Sequence, residues 1–455
     1  MPVSTTSQPA HQSDVLNLLE DLIAKARRAG ADAADAVLFD SASVSLSQRL
    51  GKAEKLERSE SGDLGLRVFV GKRQAIVSST DRSAKALDEL VERAVAMARV
   101  VPEDPFTGLA DPEQLARTFP DLDVLDPEEP ATELLIERAR IAEESALAVE
   151  GVTNSEGGDA GWSRSTIAIA ASNGFAGSYG VSRQSLSVSV LAGTGTGMER
   201  DYDYDSKVYG SDLRSAAEIG REAGERAVRR LNPRRVKSCK VPVVFDPRVS
   251  RGLLGHLTGA ISGPSIARGT SFLKDRMGQR IFAEGVTIVD DPHVKRGLRS
   301  RPFDAEGVAT TRRNLIEDGR LTTWLLDLRS ARQLGLSTTG HAARGTSGPP
   351  GPAPANVYMV AGKRSRDELL AEIEDGFYVT ELMGMGVNGV TGDYSRGAGG
   401  FWIEKGRIAY PVTELTIAGN LKDMFLNMEP ASDLELRFGM DAPTVRIDGM
   451  TIAGL

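Results

Sequence analysis

One histidine, His256, lies in the stretch Ser250–Gly263, "SRGLLGHLTGAISG", which follows the apolar run "VPVVFD" (241–246) and has the pattern of a helix start. A metallohydrolase presents its chemistry from such a helix. Zinc hydrolysis needs two neutral imidazoles on one helical face, a third ligand, and a carboxylate to deprotonate the metal-bound water. Here His256 is followed by Leu257, Thr258, Gly259, Ala260 and Ile261, which supply neither imidazole nor carboxylate. The other histidines are His11, His293 and His341, and no two of the four lie within two helical turns of each other. The segment "VDDPH" offers Asp290, Asp291 and His293, but Pro292 favours a turn there, and coordination needs at least three convergent ligands. Cys239 follows the basic "RRVKS", which would favour its thiolate, yet no local signature of a catalytic cysteine surrounds it.

Other chemistries have thinner support. There is no G-x-S-x-G elbow, and the serines lie on strands and loops with no base beside them. Gly384–Gly389 spells G-x-G-x-x-G. A dinucleotide site needs those glycines to lead from strand into helix, whereas here they lead through "VTGDYSRGAGG" into the strand-like "FWIEKG". Between Gly384 and Gly400 the backbone is stripped of side chains, with Asp393, Ser395 and Arg396 as polar interruptions. Two readings stay open. The segment lines a cleft that binds the main chain of an extended peptide, or it is a set of turns with an Asp393–Arg396 surface contact. His341, in "TTGHAARG", is placed on a loop, where partner or substrate contacts concentrate.

These residues must be positioned by a chain of 455 residues, long enough for two or three domains. A hydrophobic content of 40% and a charged content of 26% are ordinary for a globular protein. A net charge of −8 with no basic block argues against nucleic acid as a partner. The short run "RRLNPRRVKSCK" (229–240) is taken as a solvated linker. One cysteine excludes an internal disulfide, and no apolar run reaches membrane-spanning length, so a cytoplasmic protein away from membranes is expected.

The first half predicts helices from Val15 to Gly30, over about 82–100, over about 131–149, and from a Ser211 cap to Asn232-Pro233. Strands are predicted at "ADAVLFDSASVSLSQRL", in the hairpin "LGLRVFV"/"RQAIVSS", at "STIAIAAS" and at "RQSLSVSVLAG". Residues 101–130 are a long connection and "GTGTGMERDYDYDSKVYG" an exposed loop. The second half predicts a hairpin turning at Asp318-Gly319, strands at "NVYMV", "FYVTELM", "GGFWIEKGRIAYPV" and "PTVRIDGMTI", and only short helices. The expected fold is α+β: a disordered polar leader over 1–12, an N-terminal α/β domain over 13–235 with antiparallel strands and long helices, and a β-rich, barrel-like C-terminal domain over 236–455.

The stretch "GDYSRGAGGFWIEKGRIAYPVTELTIAGNLKDMF" resembles the C-terminal signature of the TldD/PmbA family, the modulator of DNA gyrase proteins. "VPVVFDPRVSRGLLGHLTGAISGPSIARGTSFLKDRMGQRIF" and "RPFDAEGVATTRRNLIEDGRLTTWLLDLRSARQLGLSTTGHA" are similar to its PmbA (TldE) branch, and "SESGDLGLRVFVGKRQAIVSSTD" also fits, so the resemblance spans roughly residues 13–455. It implies a heterodimeric zinc metalloprotease in which the TldD subunit holds the metal and the pair cleaves unstructured peptides, including leader peptides and small antitoxins. In that family the zinc motif occupies the place of the His256 helix. Whether His256 stands opposite the motif's first histidine or its glutamate, the rest of the motif is missing, and residues 241–455 contain no cysteine for the distant ligand.

The resemblance therefore implies a TldE-like subunit that binds no zinc, with zinc on a TldD-type partner and an unstructured peptide as substrate. His256, His341, Asp393, Ser395 and Arg396 are its candidate substrate or partner contacts, and no catalytic or metal residue is assigned. For His256 the alternative is a hydrogen-bonded, half-buried helix residue. Two other functions compete: an autonomous metallopeptidase using Asp290, Asp291 and His293, and a homodimeric peptide-binding protein without activity.

Overall fold

The computed structural model describes the backbone of residues 8–454 and the side chains of residues 13–454. Most of the expected leader thus lies outside the described residues, and its end, including His11, falls on the first helix. In chain order the first half contains α1 (Gln8–Arg28), β1 (Ala33–Arg49), β2 (Lys52–Val70), β3 (Arg73–Ser79), α2 (Ala84–Val100), α3 (Thr132–Leu147), β4 (Val152–Ala171), β5 (Ala176–Ala192), β6 (Glu199–Lys207) and α4 (Ala216–Arg229). Their strands form one antiparallel sheet in the order β3-β2-β1-β4-β5-β6.

One face of this sheet carries the helices. Leu19, Leu22, Leu90 and Val91 of α1 and α2 pack on Leu38, Leu64 and Leu66. Ala139, Ala142, Ala223 and Ala227 of α3 and α4 pack on Val44, Leu46, Val188 and Val190. The alanines allow close approach, and α2 and α4 start where Ser83 and Ser215 side chains accept from the backbone N–H of Ala86 and Glu218. The cap of α4 is therefore Ser215 and not Ser211.

Two segments differ from expectation. β2 begins at Lys52, and residues 52–61 are exposed on both faces, so no apolar alternation announces them; pairing with β1 holds them extended. The expected loop around "ERDYDYDSK" is β6. Its Asp201, Asp203 and Asp205 are buried at 4%, 5% and 0% exposure, because they face α4 and its arginines rather than water.

The second half contains β7 (Cys239–Phe245), α5 (Pro247–Ala260), α6 (Gly263–Ala267), β8 (Ile288–Asp291), β9 (Arg313–Glu317), β10 (Arg320–Leu321), α7 (Leu328–Leu334), β11 (Ala342–Ala343), β12 (Gly351–Pro352), β13 (Asn356–Met359), α8 (Arg366–Ala371), β14 (Asp375–Met383), β15 (Asp393–Glu404), β16 (Arg407–Asn420), α9 (Leu421–Leu426), β17 (Met428–Pro430), β18 (Met440–Asp441) and β19 (Val445–Ala453). The order β16-β15-β14-β7-β19, with β19 also pairing to β16, closes a five-stranded barrel. The fold is α+β, with this barrel in its C-terminal region. A smaller sheet, β10-β9-β8-β13-β18, stands beside it. No helix among the described residues is long and apolar enough to cross a membrane.

A buried ion cluster fastens the first sheet to the second half. Asp35 on β1 accepts from Nε of its cross-strand neighbour Arg67 at 2.8 Å, and Arg344, from the loop between β11 and β12, donates to its other oxygen. All three side chains are 3–4% exposed. Burial alone would raise the Asp35 carboxyl, but Arg344 and Arg67 outweigh it and hold it below its ordinary value. Asp35→Asn strands two desolvated guanidinium groups, and we predict a loss of about 3–5 kcal/mol in urea unfolding at pH 7. Because its pKa is lowered by folding, Asp35 stabilises the native state above its unfolded value of about 3.9 and ceases to do so as pH falls through the folded value. The variant should accordingly lose less stability than wild type on acidification below about pH 4.

Candidate functional site

The strand β7 delivers the chain to α5 through Asp246, whose side chain caps the helix by accepting from the Arg248 N–H at 2.9 Å. Pro247 occupies the first turn, where its missing N–H costs nothing. The other Asp246 oxygen accepts from the Tyr378 hydroxyl of β14 at 2.7 Å. Burial, reinforced by Asp246, pushes that phenol well above its usual range, so it stays a donor. Leu253, Leu254 and Leu257 enter the barrel core with Phe245, Phe377 and Ile447, each contributing about 2 kcal/mol by burial. The helix is thereby fixed in rotation. Gly252, His256 and Gly259 fall on its less buried side.

That side borders a cleft between β6, the end of α4, and the barrel rim. Three cavities of about 300, 250 and 200 Å³ meet around Arg248. Arg248 donates to Asp201 at 2.8 Å and lies 4.5 Å over the Tyr202 ring. Arg230 is ion-paired to Glu381, with Asp201 and Glu199 each at 3.5 Å. Arg226 pairs with Asp203 at 2.9 Å, and Arg437 reaches Asp205 at 3.4 Å. Three cleft arginines, Arg229, Arg251 and Arg396, form no ion pair among the described residues, and Arg229 lies 5.3 Å over the Phe401 ring. Arg251 stacks over Phe438 at 5.1 Å, and Arg396 donates only to the Met383 carbonyl, at 3.2 Å.

The candidates read from sequence part company here. Arg396 lines the largest of the three cavities. His256 is half-buried with its ring edge-on to Tyr394, the centroids 5.8 Å apart. Burial, and then Arg396, holds its pKa below the ordinary value, so the imidazole is neutral at pH 7. Tyr394 itself is 2% exposed, and its hydroxyl has no hydrogen-bond partner among the described residues.

Asp393 and Ser395 are exposed at the start of β15. Asp393 accepts from Thr391 at 2.6 Å and Asn420 at 3.0 Å, not from Arg396. The glycine run folds back on its own chain: a Cβ at Gly386 would lie 1.9 Å from the Ser395 carbonyl, and one at Gly400 2.1 Å from that of Tyr378. These two glycines thus admit neighbouring strands of the same barrel.

His341 is a correction. It is 4% exposed, with Nε2 2.7 Å from Asp290 and Nδ1 2.7 Å from Thr339, so the loop turns it inward as a brace between β8 and the segment before β11. Asp290 also accepts from the Ala355 N–H, and His293 Nε2 lies 2.9 Å from the Thr310 hydroxyl. The "VDDPH" side chains are therefore committed to separate bonds. Cys239 opens β7, where burial and then Asp375 push its thiol up, opposite to the activation its basic flank suggested. The run 229–240 is not simply a solvated linker, since Arg230 is 14% exposed within its ion pairs and Arg234 stacks at 4.1 Å on Tyr410. Among the described residues no group of three or more His, Cys, Asp or Glu side chains could hold a metal ion. The sequence reading missed Arg248, Arg251 and the β6 aspartates. The two-residue alternation of "DYDYD" was the signal that could have marked a strand.

The architecture is that of the PmbA/TldA metallopeptidase domains. Residues 34–98 match domain 1, residues 125–231 the central domain and residues 238–454 the C-terminal domain. The chain belongs to the PmbA/TldD family. It is 41% identical over 426 residues to the metalloprotease PmbA of Escherichia coli O157:H7, covering 93% of this chain and 92% of that one. A crystal structure of a protein named as a modulator of DNA gyrase, from Bacteroides thetaiotaomicron, superposes with a TM-score of 0.89 at 29% identity, covering 96% and 98% of the two chains. TldE from Thermococcus kodakarensis shares the fold with a TM-score of 0.85 at 24% identity, covering 96% of this chain and all of that one (100%).

The proximity of Arg396 to His256 gives a direct test. Replacing Arg396 with Met removes a positive charge but leaves the burial, so the His256 titration followed by NMR of its ring protons should move to higher pH. An unchanged titration would mean that the guanidinium does not reach the imidazole.

Proposed function

We propose that this chain is the TldE-like subunit of a TldD–TldE-type zinc metallopeptidase, cytoplasmic, and acting on unstructured peptides. The observation that carries this reading is the surface of α5. The helix is held against the barrel beside a wide polar cleft, yet His256 has Tyr394 and Arg396 beside it and belongs to no group of three or more metal-ligating side chains among the described residues. A helix with that placement and no ligand set suits a subunit that completes a chamber, while a TldD-type partner holds the zinc and its activating carboxylate. The cleft around Arg248 then serves as a wall for the peptide. Arg251 and Arg396, without ion-pair partners among the described residues, would favour segments carrying acidic groups.

Mixing this chain with a TldD-type subunit should give chelator-sensitive cleavage of an unfolded peptide that neither chain gives alone, with zinc recovered on the partner. Chelator-sensitive cleavage by this chain alone, with about one zinc bound per chain, would overturn the reading in favour of an autonomous metallopeptidase. Within the active mixture, Arg251→Ala should raise KM several-fold more for an acidic peptide than for its amide-substituted counterpart, about the value of one charge-assisted contact.

A further inference from the structure

The edge of the first sheet carries a second message. On one side β2 pairs with β1 along nearly its whole length. On the other side β3 pairs only with Leu64–Val70. Residues 52–61 therefore present an unpaired edge among the described residues, and every one of them is exposed. Such an edge ordinarily invites strand addition, and charged side chains are the usual protection against it.

The charges here have a pattern. Residues 52–60 read Lys-Ala-Glu-Lys-Leu-Glu-Arg-Ser-Glu. About Leu56 the sequence is antisymmetric in charge. We infer that this edge pairs antiparallel with the same edge of a second copy of this chain, the two-fold axis passing through Leu56. In that register Lys52 faces Glu60, Glu54 faces Arg58, Lys55 faces Glu57, Ala53 faces Ser59, and Leu56 meets Leu56. Side chains directly opposite across antiparallel strands lie on the same face and interact, and the symmetry repeats every ionic pair twice.

Neighbouring registers are disfavoured by the same residues. Moving the axis one residue toward the N-terminus sets Lys55 against Lys55 and Lys52 against Arg58. Moving it one residue the other way sets Glu57 against Glu57 and Glu54 against Glu60. The half-steps oppose Glu54 to Glu57, or Lys55 to Arg58. Like charges directly opposite are destabilising, so the strand rejects most partners and most registers while accepting its own copy in one. A two-fold axis through a residue suits either hydrogen-bonding phase of an antiparallel pair.

Leu56 adds an apolar centre. It is 57% exposed and sits opposite the buried Leu46 of β1, at the rim of the core under α3 and α4. The Lys55–Glu57 ion pair already present at 2.5 Å along the strand would become one side of a square of alternating charges across the axis. The inference is independent of the peptidase reading, since it involves neither the cleft nor α5.

Sedimentation velocity on the full chain alone, over a range of concentrations at low salt, tests it. Wild type should show a concentration-dependent monomer–dimer equilibrium. Lys55→Glu, which sets a new carboxylate against Glu57 on both sides of the axis, should weaken it by about tenfold. The double variant Lys55→Glu/Glu57→Lys exchanges the charges and keeps the antisymmetry, so it should restore association to within about threefold of wild type. Both positions are solvent-exposed, and unchanged circular dichroism melts would show that the fold is retained. A wild-type chain that stays monomeric, a dimer indifferent to Lys55→Glu, or a double variant that fails to recover would each overturn the inference.

Discussion

The three aspartates of β6 are the constraint on which the site depends. Asp201, Asp203 and Asp205 point from the last strand of the first sheet into a buried seam, and arginines from both halves converge on them: Arg214, Arg226 and Arg230 from α4 and its flanks, Arg248 from α5, and Arg437 from the segment before β18. A buried carboxylate is costly unless charge and hydrogen bonds surround it, so each aspartate fixes its arginines as firmly as it needs them. The cleft is the space left where these guanidinium groups fan out.

The barrel adds the second fixed element. Its core holds three leucines of α5, and Asp246 locks the helix start to both Arg248 and Tyr378. In a zinc peptidase a helix in this position would carry ligands at the spacing of a helical turn. Here the corresponding side shows glycine, histidine and glycine. The scaffold thus fixes this helix both at its start and along its buried face.

Much of this was legible in the sequence, and the illegible parts share a cause. Periodicity exposes an element when one face is apolar. The helices over residues 15–28 and 84–100, the Asp318-Gly319 hairpin and the β-rich second half were readable on that ground. Residues 52–61 have both faces in water, and "DYDYD" has one face buried against arginines, so neither shows an apolar stripe. His341 looked like a surface loop residue because glycines flank it, but burial was decided by Asp290, 51 positions earlier in the chain. The long motifs of the second half carried the family, whereas the cleft's arginines came from separate segments and had no local signature.

The closure of the barrel has a consequence for biosynthesis. β7 and β19 are neighbours in the barrel but are separated by about 200 residues of intervening chain, and β19 is also what joins β7 to β16. The first sheet is built from nearly sequential neighbours and can assemble while translation continues. The barrel cannot close until Val445–Ala453 have left the ribosome, and until then β7 and β16 each offer an unsatisfied edge to any strand nearby. Losing β19 is for this chain no milder than losing a central strand, and the nascent second half is the portion that most needs chaperone shelter.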